Sequence, residues 1–166
     1  MARKKSLLPY RNSVKKTKTF KIDKNITYNQ YTDGCKPNGF WYEIEDGAFR
    51  WGEINWGKYI YNVELDTSKI IIIKNYNDYL DFHNKYGMTV NVRNKFSIKL
   101  LDWEKVSKDY SGFEVINYVS IKKKLREDFK KTGIASWLDA FDFSSGCIWN
   151  LNDLKSVKYN REYELN

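Results

Sequence analysis

Histidine, cysteine and proline are scarce in this chain: one His, two Cys and two Pro among 166 residues. Each shortage excludes something. With His83, Cys35 and Cys147 as the whole supply of imidazole and thiol, no metal site of the usual zinc kind is expected. The two cysteines form no CxxC pair, which favours a reducing, intracellular setting. A Ser-His-Asp triad would have to use His83, and no nucleophile-elbow motif accompanies it. Long apolar runs are missing too. The longest, Ile70-Ile71-Ile72-Ile73, reads as a strand and is far too short to span a membrane. The opening Met1-Ala2-Arg3-Lys4-Lys5 lacks the apolar stretch of a secretory leader, so the expectation is a chain that is neither secreted nor membrane-bound.

Aromatic residues are abundant instead, with 13 Tyr, 9 Phe and 6 Trp. A core of ring against ring follows, in which buried Tyr hydroxyls and Trp N–H groups need polar partners. Positive charge is in excess and unevenly placed. Residues 1–24 hold nine of the 29 basic groups and one of the 21 acidic groups, which leaves 20 of each over residues 25–166. The expectation is a basic, flexible arm over 1–24 and one neutral domain over 25–166. Such an arm can add salt-sensitive phosphate affinity, or serve as a solvated tail or localisation signal.

The pattern along the chain is that of an α+β domain. Short strands are expected at Thr19-Phe20-Lys21-Ile22, Ile26-Thr27-Tyr28 and Phe40-Trp41-Tyr42-Glu43-Ile44. The clearest strand runs from Lys58 to Leu65, with Tyr59, Tyr61, Val63 and Leu65 on one face. Asn77 is expected to cap a helix with Leu80, His83 and Tyr86 on its stripe, stopped at Gly87. Phe96 to Leu100 alternates like a strand. Asp102 caps a second helix carrying Trp103, Val106 and Tyr110, and Gly112 lies past its end. Strand-like Phe113 to Val119, a basic helix over Ile121 to Lys131, and strands at Gly146 to Trp149 and Leu154 to Tyr159 complete the order. No βαβ repeat and no Gly-rich phosphate loop appears, so the sheet is expected to be mainly antiparallel, with a few short helices.

Two segments concentrate chemistry. Trp41, Trp51 and Trp56 lie among Gly39, Gly47, Gly52 and Gly57. They suit either a platform on which a planar ligand stacks or a cap on the sheet edge. Asp139 to Trp149 places Asp142, Ser144 and Ser145 before a strand, as a site would, or as a loop whose side chains satisfy backbone amides. His83 and Cys147 both read as structural residues on apolar elements.

Three motifs carry a resemblance. Lys36-Pro37-Asn38-Gly39-Phe40-Trp41-Tyr42 resembles a KPxGLW element. Asp102-Trp103-Glu104-Lys105-Val106, followed by Tyr110-Ser111-Gly112-Phe113, resembles DWxxVxxxYxGI. Asp142-Phe143-Ser144-Ser145-Gly146-Cys147-Ile148-Trp149 resembles DxxSGCIW. In this order, over residues 26–158, they are similar to an uncharacterised family of phages, large DNA viruses and bacteria. That family in turn resembles the ADP-ribosyltransferase fold, a split sheet with NAD in its cleft.

The resemblance implies a viral or phage-type protein of the host cytoplasm or virion. It would bind NAD and transfer ADP-ribose to a protein or nucleic acid. It implies Tyr28, Trp41, Tyr42 and Trp51 around the cofactor, Arg126 on its pyrophosphate, and Asp142, Ser144 and Ser145 as catalytic groups. The chain departs from such enzymes at Thr27-Tyr28-Asn29, where many have a His, and in the last strand, which has no Glu. The second reading is therefore a non-catalytic nucleic-acid-associated or virion interaction protein, anchored by its basic arm.

Overall fold

The computed structural model describes residues 11–44, 57–92 and 96–162. Among these residues the strands are β1 (Arg11–Lys15), β2 (Phe40–Ile44), β3 (Tyr59–Leu65), β4 (Ile70–Ile73), β5 (Gly87–Val92), β6 (Phe96–Leu101), β7 (Gly112–Val115), β8 (Ile134–Ala135), β9 (Ser145–Ile148) and β10 (Leu154–Glu162). The helices are α1 (Tyr76–Tyr86), α2 (Trp103–Asp109) and α3 (Tyr118–Thr132), with 3₁₀ turns at Trp137–Ala140 and Leu151–Asp153. Seven strands form one sheet in the order β10-β3-β1-β2-β9-β7-β4, and β5-β6-β8 form a second. The pairs β4/β7 and β6/β8 are parallel and the others antiparallel. The fold is α+β with mixed sheets and few helices. No helix among the described residues is long and apolar enough to cross a membrane.

Strand parity divides the large sheet into two faces. Phe40, Tyr42 and Ile44 of β2 pack with Val63, Leu65, Ile148 and Leu154. Trp41 points the other way, toward the cluster that holds Phe113, Cys147, Trp103, Trp137 and Phe141 beneath the helices. The rings meet edge to face or tilted, as at Trp103 and Phe113, 5.0 Å apart. The indoles of Trp103 and Trp149 donate to Gly34 O at 3.1 Å and Tyr110 O at 2.8 Å, which offsets the burial of their N–H groups.

The helix ends follow local chemistry. Asp102 caps α2, accepting from Lys105 N at 2.9 Å. The cap of α1 is Asn75, two residues before the expected Asn77, and its Oδ1 accepts from Asn77 N and Asp78 N. The buried stripe is Tyr79, Phe82 and Tyr86 rather than Leu80 and His83. Tyr79 and Phe82 face the core, where their rings remove more apolar area from water than Leu80 and His83 would.

The N-terminal segment differs most from expectation. Residues 1–10 lie outside the described residues. Arg11–Lys15, within the stretch set apart as an arm, is a strand near the middle of the large sheet, paired with both β2 and β3. Thr19-Phe20-Lys21-Ile22 and Ile26-Thr27-Tyr28 are irregular and pair with no strand. Phe20 docks as a loop residue instead, its N–H donating to Tyr61 Oη at 3.2 Å.

A charged network fixes β1. Arg11 Nε and Nη2 donate to Glu114 on β7 at 2.5 and 3.0 Å, and Tyr42 Oη donates to the same carboxylate at 2.9 Å. Glu114 is 1 % exposed. Between β2 and β7 lies β9, and Gly146 makes the reach possible: a Cβ there would meet the Tyr42 ring at 2.5 Å. Arg11→Met leaves a buried carboxylate without its cation. It should cost about 3 kcal/mol in urea unfolding, far more than an exposed pair such as Lys108–Glu104 is worth.

Candidate functional site

The first turn of α3 builds the site. Asn117, before it, has left-handed backbone (φ 55°, ψ 33°) and makes no side-chain cap. Ser144, from the segment ahead of β9, supplies the missing acceptor: Tyr118 N donates to its Oγ at 3.3 Å. The Tyr118 hydroxyl donates in turn to the carbonyl of Phe141. A capping box between Ser136 and Asp139 shapes the 3₁₀ turn just upstream. These bonds lay residues 139–144 alongside the helix.

An open groove of about 590 Å³ results, walled by Tyr118, Val119, Lys122, Lys123 and Arg126 on the helix and by Asp139, Phe141 and Asp142 opposite. Lys122 and Arg126 are four residues apart and share a face. Lys122 is paired to Asp139 at 2.5 Å. Arg126 and Lys123 are exposed and have no ion-pair partner among the described residues. Asp142 is exposed. The groove thus offers free cationic donors and one free carboxylate.

An aromatic wall adjoins it. Phe141 lies 5.6 Å from the half-buried ring of Trp41, and Trp41 is edge-on to Phe113 at 6.1 Å. Beyond Trp41 a smaller cleft, of about 320 Å³, is lined by Lys15, Phe20, Tyr28, Gly39 and Phe40 among others. Of the residues expected at a site, Asp142 and Arg126 therefore share one groove, Tyr28 and Trp41 share the next, and the Trp41–Phe141 contact joins the two. Ser144 caps the helix that carries Arg126.

Two expected residues, Tyr42 and Ser145, do not join them. Tyr42 is fully buried on the opposite face of the sheet, bonded to Glu114, so its ring is not presented to a ligand. Ser145 is buried in β9, directly across from Glu43. Trp51, with Trp56, lies outside the described residues. His83 is half-buried, stacked on Tyr79, and burial with Lys99 nearby lowers its pKa to about 4. Cys147 is fully buried, which pushes its thiol well up.

Pattern reading missed Glu43. It follows Tyr42 in β2, so parity turns it to the Trp41 face, where its cross-strand neighbours are Asn12 and Ser145. The side chain is fully buried and neither carboxylate oxygen has a hydrogen-bond partner among the described residues. Burial raises its pKa to about 8. The one available signal was an acid inside an otherwise apolar strand.

Comparison with models of known protein families, with curated proteins and with solved structures found no match.

The state of Glu43 sets a pH dependence. Its folded pKa lies above the ordinary 4.5, so the folded chain holds the proton more tightly than the unfolded chain. Its contribution is intact below about pH 4.5, declines as pH rises, and is gone above about pH 8. Glu43→Gln should match the wild type in urea stability at pH 4 and exceed it by a few kcal/mol at pH 8.5.

Proposed function

We propose that the protein is an ADP-ribosyltransferase-like protein that binds NAD along the α3 groove. Its diphosphate would meet Arg126 and Lys123, and its nicotinamide end would lie toward Trp41 and Phe141. One observation carries the reading: Arg126 and Asp142 line the same groove, and its wall, Phe141, touches Trp41. A guanidinium and an ammonium with no ion-pair partner among the described residues suit a diphosphate, which accepts charge-assisted hydrogen bonds.

Transfer of ADP-ribose breaks the bond between ribose and nicotinamide with little help from the incoming nucleophile. Positive charge builds on the ribose, and a fixed carboxylate lowers that barrier. Asp142 is the free acid of the groove and takes that role. Ser144 acts through the helix, by holding its first turn against the acid-bearing segment. The acceptor would be a protein or a nucleic acid.

A second reading has its own observation. Asp142 is exposed, and β9 (Ser145–Ile148) carries no carboxylate. An acid left in water stabilises a cation poorly, so the groove could bind the dinucleotide without cleaving it.

Calorimetric titration with NAD and with ADP-ribose tests both. Both ligands should bind the wild type, and Arg126→Ala should weaken each by about tenfold or more. Asp142→Asn should keep binding and abolish nicotinamide release. Binding without release in the wild type selects the second reading. Absence of binding, or affinity indifferent to Arg126→Ala, overturns the groove assignment.

A further inference from the structure

Lys36 stands on the turn before β2. Its ammonium lies 5.8 Å from the Trp41 ring centroid and 5.4 Å from that of Phe141. The side chain is exposed and makes no ion pair among the described residues. The turn beneath it is firmly held. The Gln30 amide donates to Asn38 O at 2.6 Å and accepts from Asn38 N at 3.1 Å, and the Tyr31 hydroxyl donates to Lys36 O. Gly39 lies so close to β9 that a Cβ would meet Cys147 Sγ at 2.5 Å. The two rings are likewise fixed by Phe113 behind them. A rigid pair of rings thus faces a loose cation.

We infer that Trp41 and Phe141 form a seat for a planar cationic ring, and that Lys36 fills this seat in the free protein as a built-in competitor. The energetics favour exchange. An ammonium at these distances from the half-buried Trp41 ring and the buried Phe141 ring gains only a weak electrostatic attraction, and it recovers full hydration when it leaves. A flat cation gains the same electrostatic attraction and buries ring surface as well. The ligand class is a pyridinium or a similarly delocalised cation. The inference rests on the NAD reading for its natural ligand, because the oxidised nicotinamide ring is a pyridinium and the reduced ring is neutral.

The test uses the full chain and three small probes: 1-methylnicotinamide, which is cationic, nicotinamide, which is neutral, and ADP-ribose, which has no nicotinamide. Binding is read by NMR shifts of the indole N–H resonances. The wild type should prefer the cation to the neutral ring. Lys36→Ser should tighten cation binding about two- to fivefold, and Lys36→Arg, a stronger occupant of aromatic faces, should weaken it. Both variants should bind ADP-ribose as the wild type does. Trp41→Leu should lose the preference for the cation. Equal affinity for the two rings, or no change in Lys36→Ser, overturns the inference. So does Lys36→Arg behaving as wild type, since a mere change of net charge would then explain the serine variant. ADP-ribose reports on the groove alone: its binding leaves the groove reading standing when the seat fails, and its absence removes the groove while a cation preference upholds the seat.

Discussion

Glu114 accepts hydrogen bonds from Arg11 and Tyr42 inside the large sheet, and the arrangement of the molecule follows from that carboxylate. It stands on β7, its donors on β1 and β2, and β9 runs between them. A buried carboxylate is tolerable only with its charge answered, and here a bidentate guanidinium answers it. The donors come from the start of the chain and the acceptor from position 114, so the contact closes the sheet across most of the sequence. It also accounts for Gly146, since any side chain there would occupy the space of the Tyr42 ring.

The same contact decides what the other face carries. Successive side chains of a strand point to opposite faces. Tyr42 is committed to Glu114, so Trp41 and Glu43 must face the helices. Trp41 thereby reaches Phe141, and the segment after Phe141 is drawn along α3 by Ser144 and Tyr118. A structural ion pair on one side of the sheet thus positions aromatic rings and a groove on the other. Glu43 is the cost of that parity: an acid turned inward with no hydrogen-bond partner among the described residues.

The placement of charge changes meaning once the strands are seen. The basic excess of residues 1–24 reads as an arm, yet Arg11 is among the most deeply engaged cations of the fold and Lys15 lies over the Phe20 and Phe40 rings. Lys123 and Arg126, exposed in the groove and without an ion pair among the described residues, belong to a helix whose charge is offset elsewhere in the chain. Net charge per segment is a poor guide to where free charge is displayed, because pairing is decided in three dimensions.

Periodicity alone determined much of this protein. The strands at 40–44, 59–65, 70–73, 96–101, 145–148 and 154–162 and the three helices were legible because apolar spacing, Asp102 and the bounding glycines are local signals. Arg126, Trp41 and Asp142 were legible as candidate site residues by resemblance, and Ser144 as a polar residue ahead of a strand. The tertiary structure alone decided the rest. Arg11–Lys15 has one apolar residue, Val14, and becomes a strand because two neighbours offer it their backbone edges. Tyr42 and Ser145 went to the interior, Glu43 was buried, and Lys36 came to rest over two rings, through strand pairing and parity. Local sequence encodes which elements form and which of their residues are apolar. Which face a residue shares, and with whom, depends on contacts between segments a hundred residues apart, and these exist only once the sheet has closed.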